Sequence, residues 1–146
     1  MVIAIIGILA AVVLGSLNDA RDGANDASAK TSINNVRNVA EVFYSENGFT
    51  YGITDNDIAA AATNVTTATA ADHVCLDAGV INLLEAAAAQ TREAGVCVSN
   101  DDSYGVSIGL RSTDQSFCVD STGFAGQLAT ADVALDSGTD VTTCNP

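Results

Sequence analysis

The chain opens with an apolar run that no soluble globular protein can leave in water. Its first fourteen residues, MVIAIIGILAAVVL, contain no charge, no proline and no strongly polar side chain, and the first charged residue is Asp19. Such a segment must be buried in lipid, in a partner or in copies of itself, because exposed apolar area costs free energy. Uncharged residues continue to Asn18, and eighteen residues lie near the lower limit of about 17–25 for a helix that spans a bilayer.

The pattern then becomes that of an amphipathic helix. The apolar residues are spaced by three or four, which places them on one face of a helix that packs on a head: Ala29, Ile33, Val36, Ala40 and Phe43. Charged residues such as Asp26 and Lys30 are expected to lie off this stripe, and Gly48 is suited to end the helix. A continuous helix to Glu46 would be about 69 Å long, so half of it must project from a small domain.

Glycines interrupt the helical signal within the projecting half. Gly7, Gly15 and the adjacent Ser16 are candidates for local melting, because each glycine costs roughly 1 kcal/mol relative to alanine in a helix interior. We therefore divide the chain into a helix over residues 1–48 and a globular head over 49–146. The helix comprises an apolar assembly or membrane segment (1–18) and an amphipathic segment (19–48).

The head is expected to combine a short helix with antiparallel strands. Residues 49–72 read as a loop with one short helix at 57–63, and apolar residues on one face predict a second helix over 78–89. Alternation of apolar and small residues predicts a strand over 104–111 that pairs with a return strand over 116–120. Residues 96–98 read as an added edge strand, and residues 130–146 as a loop. The fold class is therefore α+β.

Net charge and cysteine content limit the classes of function that are compatible with the sequence. The net charge is −13 with only five basic residues, which argues against nucleic-acid binding and against simple electrostatic docking on anionic lipid. Four widely spaced cysteines and one histidine make poor metal-site spacing, so two disulfides formed in an oxidising compartment are expected. Four reduced, buried thiols are the alternative reading, and the spacing leaves three disulfide pairings open.

No residue set points to catalysis or to a cofactor. His73 has no recognisable nucleophile partner and is expected to be a loop or packing residue. The carboxylate pairs Asp55/Asp57 and Asp101/Asp102 lack the spacing of a calcium loop and are expected to be solvated. Asn64 begins an Asn-Val-Thr sequon, which makes it a candidate glycosylation site in an extracellular protein.

Residues 1–11, MVIAIIGILAA, closely resemble the N-terminal helix of bacterial type IV pilins and pseudopilins. The resemblance covers residues 1–46 well, and more loosely residues 104–123, where the hairpin that carries Cys118 is similar to the pilin head sheet. Mature chains of that family begin with phenylalanine and a short apolar segment with one glutamate, so we expect this sequence to be truncated at its front. The family often has a proline near Gly15, whereas this chain's one proline is Pro146.

The resemblance implies a type IV pilin fold, in which a long N-terminal helix carries a small antiparallel sheet. It implies a non-enzymatic structural subunit that waits in the inner membrane, is extracted by the pilus assembly machinery and polymerises with copies of itself into an extracellular filament for adhesion or motility. The assembly residues would be those of the apolar run: Met1, Val2, Ile3, Ile5, Ile6, Gly7, Ile8, Leu9, Val12, Val13 and Leu14.

The resemblance also implies a disulfide pairing and leaves two functional alternatives. The family often staples its C-terminal segment to the sheet, which implies Cys118–Cys144 and leaves Cys75–Cys97 as the second bond. A pseudopilin of a type II secretion-like system is the alternative within the family. A membrane-anchored secreted binding module or enzyme is the alternative outside it, although a plain anchor needs no amphipathic helix that continues so far from the membrane.

Overall fold

The computed structural model describes residues 2–52, 60–61, 73–129 and 144, with the backbone alone at residues 14, 60 and 61. A long helix followed by a small antiparallel sheet confirms the α+β architecture. The helices are α1 (Val2–Glu46) and α2 (Ala78–Thr91), with a short 3-10 helix at Val74–Leu76. The strands are β1 (Ala60–Ala61), β2 (Gly95–Ser99), β3 (Tyr104–Gly109), β4 (Ser116–Asp120) and β5 (Ala125–Leu128).

Helix α1 ends where the backbone enters the left-handed region. Gly48 has φ +78° and Phe49 has φ 65°, conformations that stop helical hydrogen bonding. The amide of Asn47 donates to the Phe43 carbonyl and that of Phe49 to the Tyr44 carbonyl, each at 2.9 Å. Two of the last carbonyls of the helix are thereby satisfied, at the place where Gly48 was expected to end it.

One face of α1 is embedded in the head. The predicted stripe of Ala29, Ile33, Val36, Ala40 and Phe43 is buried against α2 and the sheet. The two helices approach closely at Gly79, where an added Cβ would lie 2.9 Å from the Val39 side chain. The hydrophobic core therefore lies between the two helices and one face of the sheet.

Helix α2 begins and ends at identifiable caps. The Asp77 carboxylate accepts hydrogen bonds from the amides of Gly79 at 2.8 Å and Val80 at 3.3 Å, as an N-cap does. The helix continues two residues past the predicted end and closes at Arg92, whose φ of 62° and ψ of 17° are left-handed. The sequence indicated the apolar face of this helix but not its C-cap, because arginine is not a typical left-handed residue.

The described strands form one antiparallel sheet in the order β1-β2-β3-β4-β5. The predicted hairpin pairs β3 with β4, with Val106 opposite Val119, although β3 ends at Gly109 and the next two residues belong to the turn. Both faces are covered, one by the helices and the other by a small cluster of Cys118, Leu128 and Cys144. The sheet is therefore an interior layer of the head.

Two sequence expectations for the sheet are wrong, and one strand was not predicted at all. The short helix at 57–63 is replaced at Ala60–Ala61 by strand β1, because pairing with β2 overrides the helix propensity of alanine. Because β1 pairs with β2, strand β2 lies between β1 and β3 and is not an edge strand. Strand β5 was missed, because Ala125–Leu128 contains two residues, Gly126 and Gln127, with little strand propensity.

Truncating the embedded stripe should destabilise the head. Val36→Ala removes two buried methyl groups and leaves a cavity, so we expect a loss of roughly 2 kcal/mol in the free energy of unfolding. The matched control is Val42→Ala on the same helix, which is exposed and should change stability by less than about 0.5 kcal/mol. Denaturant titration of the full chain in detergent, followed by tyrosine circular dichroism, measures both, and equal losses would contradict this packing.

Candidate functional site

Among the described residues, the most extensive exposed apolar surface is the projecting half of α1, which we term the apolar stalk (residues 2–17). Ile3 is 86% exposed, and every other large apolar side chain described in the stalk is more than half exposed: Val2, Ile5, Ile6, Ile8, Leu9, Val12, Val13 and Leu17. These include the described members of the predicted assembly set. Met1 and the side chain of Leu14 lie outside the described residues.

Helix α1 is also long and apolar enough at its N-terminal end to cross a membrane, by length and composition, and none of that window is buried within the chain. The backbone stays helical through the predicted melting candidates Gly7, Gly15 and Ser16, and the Ser16 hydroxyl donates to the Val13 carbonyl at 3.1 Å. A Cβ added at Gly7 or Gly15 would meet no described atom within 4 Å. Packing within the described chain therefore does not require glycine at either position.

A buried carboxylate fastens the head to α1 at the base of the stalk. Asp26 is 2% exposed, and its two oxygens accept hydrogen bonds from the backbone amides of Arg111 at 2.8 Å and Ser112 at 2.9 Å. The Ser112 hydroxyl donates to the same carboxylate. We term this set the Asp26 clamp. It ties the β3–β4 turn to the helix where the helix leaves the head.

The hydrogen bonds of the clamp outweigh its desolvation. Burial acts to raise the pKa of Asp26, but donation from the Ser112 hydroxyl and from the two amides, with help from Lys30, holds that pKa below its usual value. The residue was expected to lie off the apolar stripe. It lies three residues before Ala29 and so on the same helix face, which was the signal available in the sequence.

A second buried carboxylate organises the far end of the sheet. Oδ1 of Asp120 accepts hydrogen bonds from the backbone amides of Thr122 at 2.9 Å and Phe124 at 3.1 Å, which shapes the β4–β5 turn. Its Oδ2 accepts from the Cys144 amide at 2.8 Å. Arg37 of α1 donates to the Phe124 carbonyl at 2.8 Å. This set joins the helix, the sheet and the C-terminal segment, and sequence patterning gave no signal for it.

Two disulfides staple the head. Cys75–Cys97 links the 3-10 helix to β2, and Cys118–Cys144 links β4 to the C-terminal segment, with Cα separations of 5.6 Å and 6.0 Å. No cysteine is free. This is the pairing that the resemblance implied. Disulfide bonds of this kind fit an oxidising compartment.

The remaining candidate residues show no arrangement for chemistry. His73 is buried, and its ring lies against Gly52, where an added Cβ would be 2.5 Å from Nδ1. Among the described residues, no three His, Cys, Asp or Glu side chains group to hold a metal ion. Asp101 and Asp102 lie in an exposed turn, whereas Asp55, Asp57 and Asn64 lie outside the described residues. His73 therefore serves packing in the head.

Burial also fixes the protonation of a tyrosine in the core. Tyr104 contacts the Tyr51 ring with centroids 4.9 Å apart, and burial raises the pKa of Tyr104 to about 12, against the opposing effect of Arg37. The raised pKa moves ionisation of this hydroxyl further from physiological pH than for an exposed tyrosine, and its ring packs in the core.

Comparison of the chain with protein-family models, curated proteins and solved structures finds no significant match.

Removing the charge of the clamp should weaken the head. We expect Asp26→Asn to lower the free energy of unfolding by about 1–3 kcal/mol, because an amide group accepts fewer hydrogen bonds and leaves a buried donor without a partner. The control is Asp22→Asn, which removes only a partly exposed ion pair with Arg111 and should cost less than about 1 kcal/mol. Chemical denaturation of both variants at pH 7 makes the comparison.

The clamp also predicts how stability depends on pH. The pKa of Asp26 in the folded protein lies below its unfolded value, so the clamp contributes fully above the unfolded pKa of about 3.9 and is lost as pH falls through the folded pKa. The stability difference between wild type and Asp26→Asn should therefore shrink below about pH 4. A difference that stays constant down to pH 2 would contradict an ionised clamp.

The contribution of each disulfide to the free energy of unfolding should be measurable on its own. Replacing both cysteines of the C-terminal bond, Cys118→Ala with Cys144→Ala, should cost about 3 kcal/mol in the chain-entropy model. Non-reducing peptide mapping of the wild-type chain should recover both linked peptide pairs and no free thiol. Recovery of a different pairing would show that the sheet and the C-terminal segment are joined otherwise.

Proposed function

We propose that the protein is a structural, non-catalytic subunit of an extracellular type IV pilus-like filament. The apolar stalks of many copies bury one another in the filament interior, and the acidic heads face water. The observation that carries this proposal is the apolar stalk itself, which is exposed along its described length yet continuous with a helix embedded in the head.

The free energy available from burying the stalk is large. Complete burial of one Val, Leu or Ile side chain contributes about 1.5–3 kcal/mol, so the exposed side chains of the stalk together supply on the order of 10–20 kcal/mol. That is comparable with the whole stability of a small domain. Leaving the stalk in water would lead to uncontrolled aggregation, so a defined environment for it is part of the function.

The distribution of side chains favours an environment made of helices. Ala4, Gly7, Ala11 and Gly15 recur at intervals of three or four and share one face of α1, while the other stalk positions are branched apolar residues except for Ala10 and Ser16. A helix that is apolar all round needs cover on all sides, which a single partner helix cannot give. Small residues let neighbouring helices approach closely, and the two glycines have no packing reason within the described chain.

The apolar stalk accounts for two proposed locations of the subunit, the inner membrane and the filament interior. The N-terminal part of α1, which includes the stalk, is long and apolar enough to span a bilayer, so the subunit would wait in the inner membrane as a precursor pool before the pilus assembly machinery transfers it to the filament. Either place removes the stalk from water. The resemblance of residues 1–46 to type IV pilins supports this sequence of events, and the α+β fold with its C-terminal staple is compatible with a pilin head.

The head suits a surface exposed to the medium. A net charge of −13 keeps the filament soluble and disfavours nucleic acid as a partner. Two disulfides compensate for the few aromatic residues of its core. Adhesion or motility would follow from the filament as a whole. A pseudopilin of a type II secretion-like system is the alternative within the same class, and a plain anchored module is the alternative outside it.

Filament formation should depend on the small-residue face. Gly7→Leu keeps the stalk apolar and meets no described atom of the chain, so membrane insertion and the head should be unaffected. We expect it to reduce filaments severely, because the added side chain separates the helices. The control is Ile8→Leu, which preserves size and hydropathy on the branched face. Immuno-electron microscopy of sheared surface material from cells that produce the chain gives the readout.

The outcome distinguishes a filament subunit from an anchored module. Wild-type chain found only as monomers in membrane fractions would contradict the proposed function. Filaments of Gly7→Leu as abundant as those of wild type would keep the subunit role but remove the close helix contact. We also expect residues 7–15 to lose helical hydrogen bonds in the assembled filament, because Gly7 and Gly15 weaken the helix there. A density map with an unbroken straight helix across this stretch would contradict that expectation.

A further inference from the structure

The few basic residues of this acidic chain are concentrated at one place. Of five basic residues, three arginines line a single open cleft of about 410 Å³: Arg21, Arg92 and Arg111. They come from α1, from the C-cap of α2 and from the β3–β4 turn, so folding brings them together from distant parts of the sequence. We term this the arginine cleft.

Two of these guanidinium groups have no carboxylate partner among the described residues. Arg111 pairs with Asp22, with 3.5 Å between Nε and Oδ1, whereas neither Arg21 nor Arg92 makes an ion pair there. Asn18 and Asn25 add amide groups to the wall of the cleft. Guanidinium groups bind carboxylates with two parallel hydrogen bonds, so the cleft is suited to carboxylate-bearing segments.

Arg92 has a backbone conformation that is unfavourable for a residue with a side chain. Its φ of 62° and ψ of 17° are left-handed, which costs a residue with a side chain about 1 kcal/mol relative to glycine. Glycine is the usual residue at such a C-cap. A positively charged residue therefore lines the cleft at a position where glycine would cap the helix with less backbone strain.

The arginine cleft lies at the lower pole of the head, the end from which the stalk leaves. The upper pole, formed by residues 44–52 and 98–105, lies at the other end of α1, about 36 Å away at ~1.5 Å per residue. Those two segments contain Glu46, Asp101 and Asp102, all exposed, and no Lys or Arg. The backbone amide of Tyr51 donates to the Asp101 carbonyl at 3.0 Å and joins the two segments.

We infer that the arginine cleft of one copy binds the upper-pole carboxylates of a second copy, with Asp102 and Glu46 as the acidic groups. Two copies that point the same way present complementary poles along the α1 axis, and a contact between different surfaces that does not close repeats into a filament. The inference rests on the proposed function, and it adds a specific contact between heads to the burial of the stalks. It also sets register between subunits, which a uniformly apolar stalk does not specify.

Charge reversal and its rescue test this contact. Arg92→Glu should lower the yield of sheared filaments by about tenfold or more, since like charges then face each other across the contact. Combining it with Asp102→Arg restores an opposite-charge pair between positions 92 and 102 of neighbouring copies and should restore part of the yield, since Arg21 and Arg111 remain in the cleft. The control for the second change is Glu85→Arg, a charge reversal at an exposed residue in the middle of α2, which should not rescue.

Arg92→Gly separates binding from folding. Glycine adopts the left-handed conformation without strain, so this variant should fold at least as stably as wild type. Its filaments should nevertheless dissociate at lower salt than wild-type filaments, because one guanidinium group is missing and the remaining attraction is screened. Equal salt resistance would show that Arg92 does not take part in the contact.

Cross-linking gives a positional readout. Arg92→Lys places an amine in the cleft, and a zero-length carbodiimide should join it to the Asp102 or Glu46 carboxylate of another copy in filaments of the full chain. Peptide mapping should recover that junction only between copies, and the Arg92→Gly variant should not give it. Intact filaments with a junction elsewhere, or with no effect of charge reversal, would overturn this inference but leave the filament function standing. The absence of wild-type filaments would overturn both.

Discussion

The whole structure depends on one helix that must be buried in two different environments. The C-terminal half of α1 is embedded in its own head, where Ile33, Val36 and Ala40 are fully buried. The N-terminal half offers equally apolar side chains with nothing of the described chain around them. Because the helix is continuous, the head is rigidly joined to a segment that has to leave water. The proposed bilayer and filament are two solutions to that single requirement.

The head is built to hold its position on this helix. The Asp26 clamp ties the β3–β4 turn to α1 at the base of the stalk, and Arg37 together with the Asp120 hydrogen bonds ties the opposite end of the sheet. In both places a buried carboxylate, Asp26 or Asp120, accepts hydrogen bonds on both of its oxygens, which specifies one geometry as well as adding stability. The β3–β4 turn also carries Arg111 into the arginine cleft, so the clamp that fixes the head fixes a wall of the proposed intersubunit site.

The sequence predicted the structural elements that follow from periodic apolar spacing. It did not predict the polar contacts between residues that are distant in the chain. The stripe from Ala29 to Phe43 and the pairing of β3 with β4 follow from spacing alone. The disulfide pairing came only from the resemblance, since spacing left three choices. Strand β1 was read as helix because alanine favours helices until a neighbouring strand pairs with it. Arg21, Arg92 and Arg111 come together only through the fold, so no local pattern could have indicated their cleft.

A helical density map of filaments sheared from cells that produce this chain tests the central claim most directly. The map should show the apolar stalks together at the filament axis, with Ala4 and Gly7 facing neighbouring helices, and the heads on the outer surface. A map in which the stalk points outward, or in which the filament is built from head contacts with the stalk left in detergent or lipid, would contradict it.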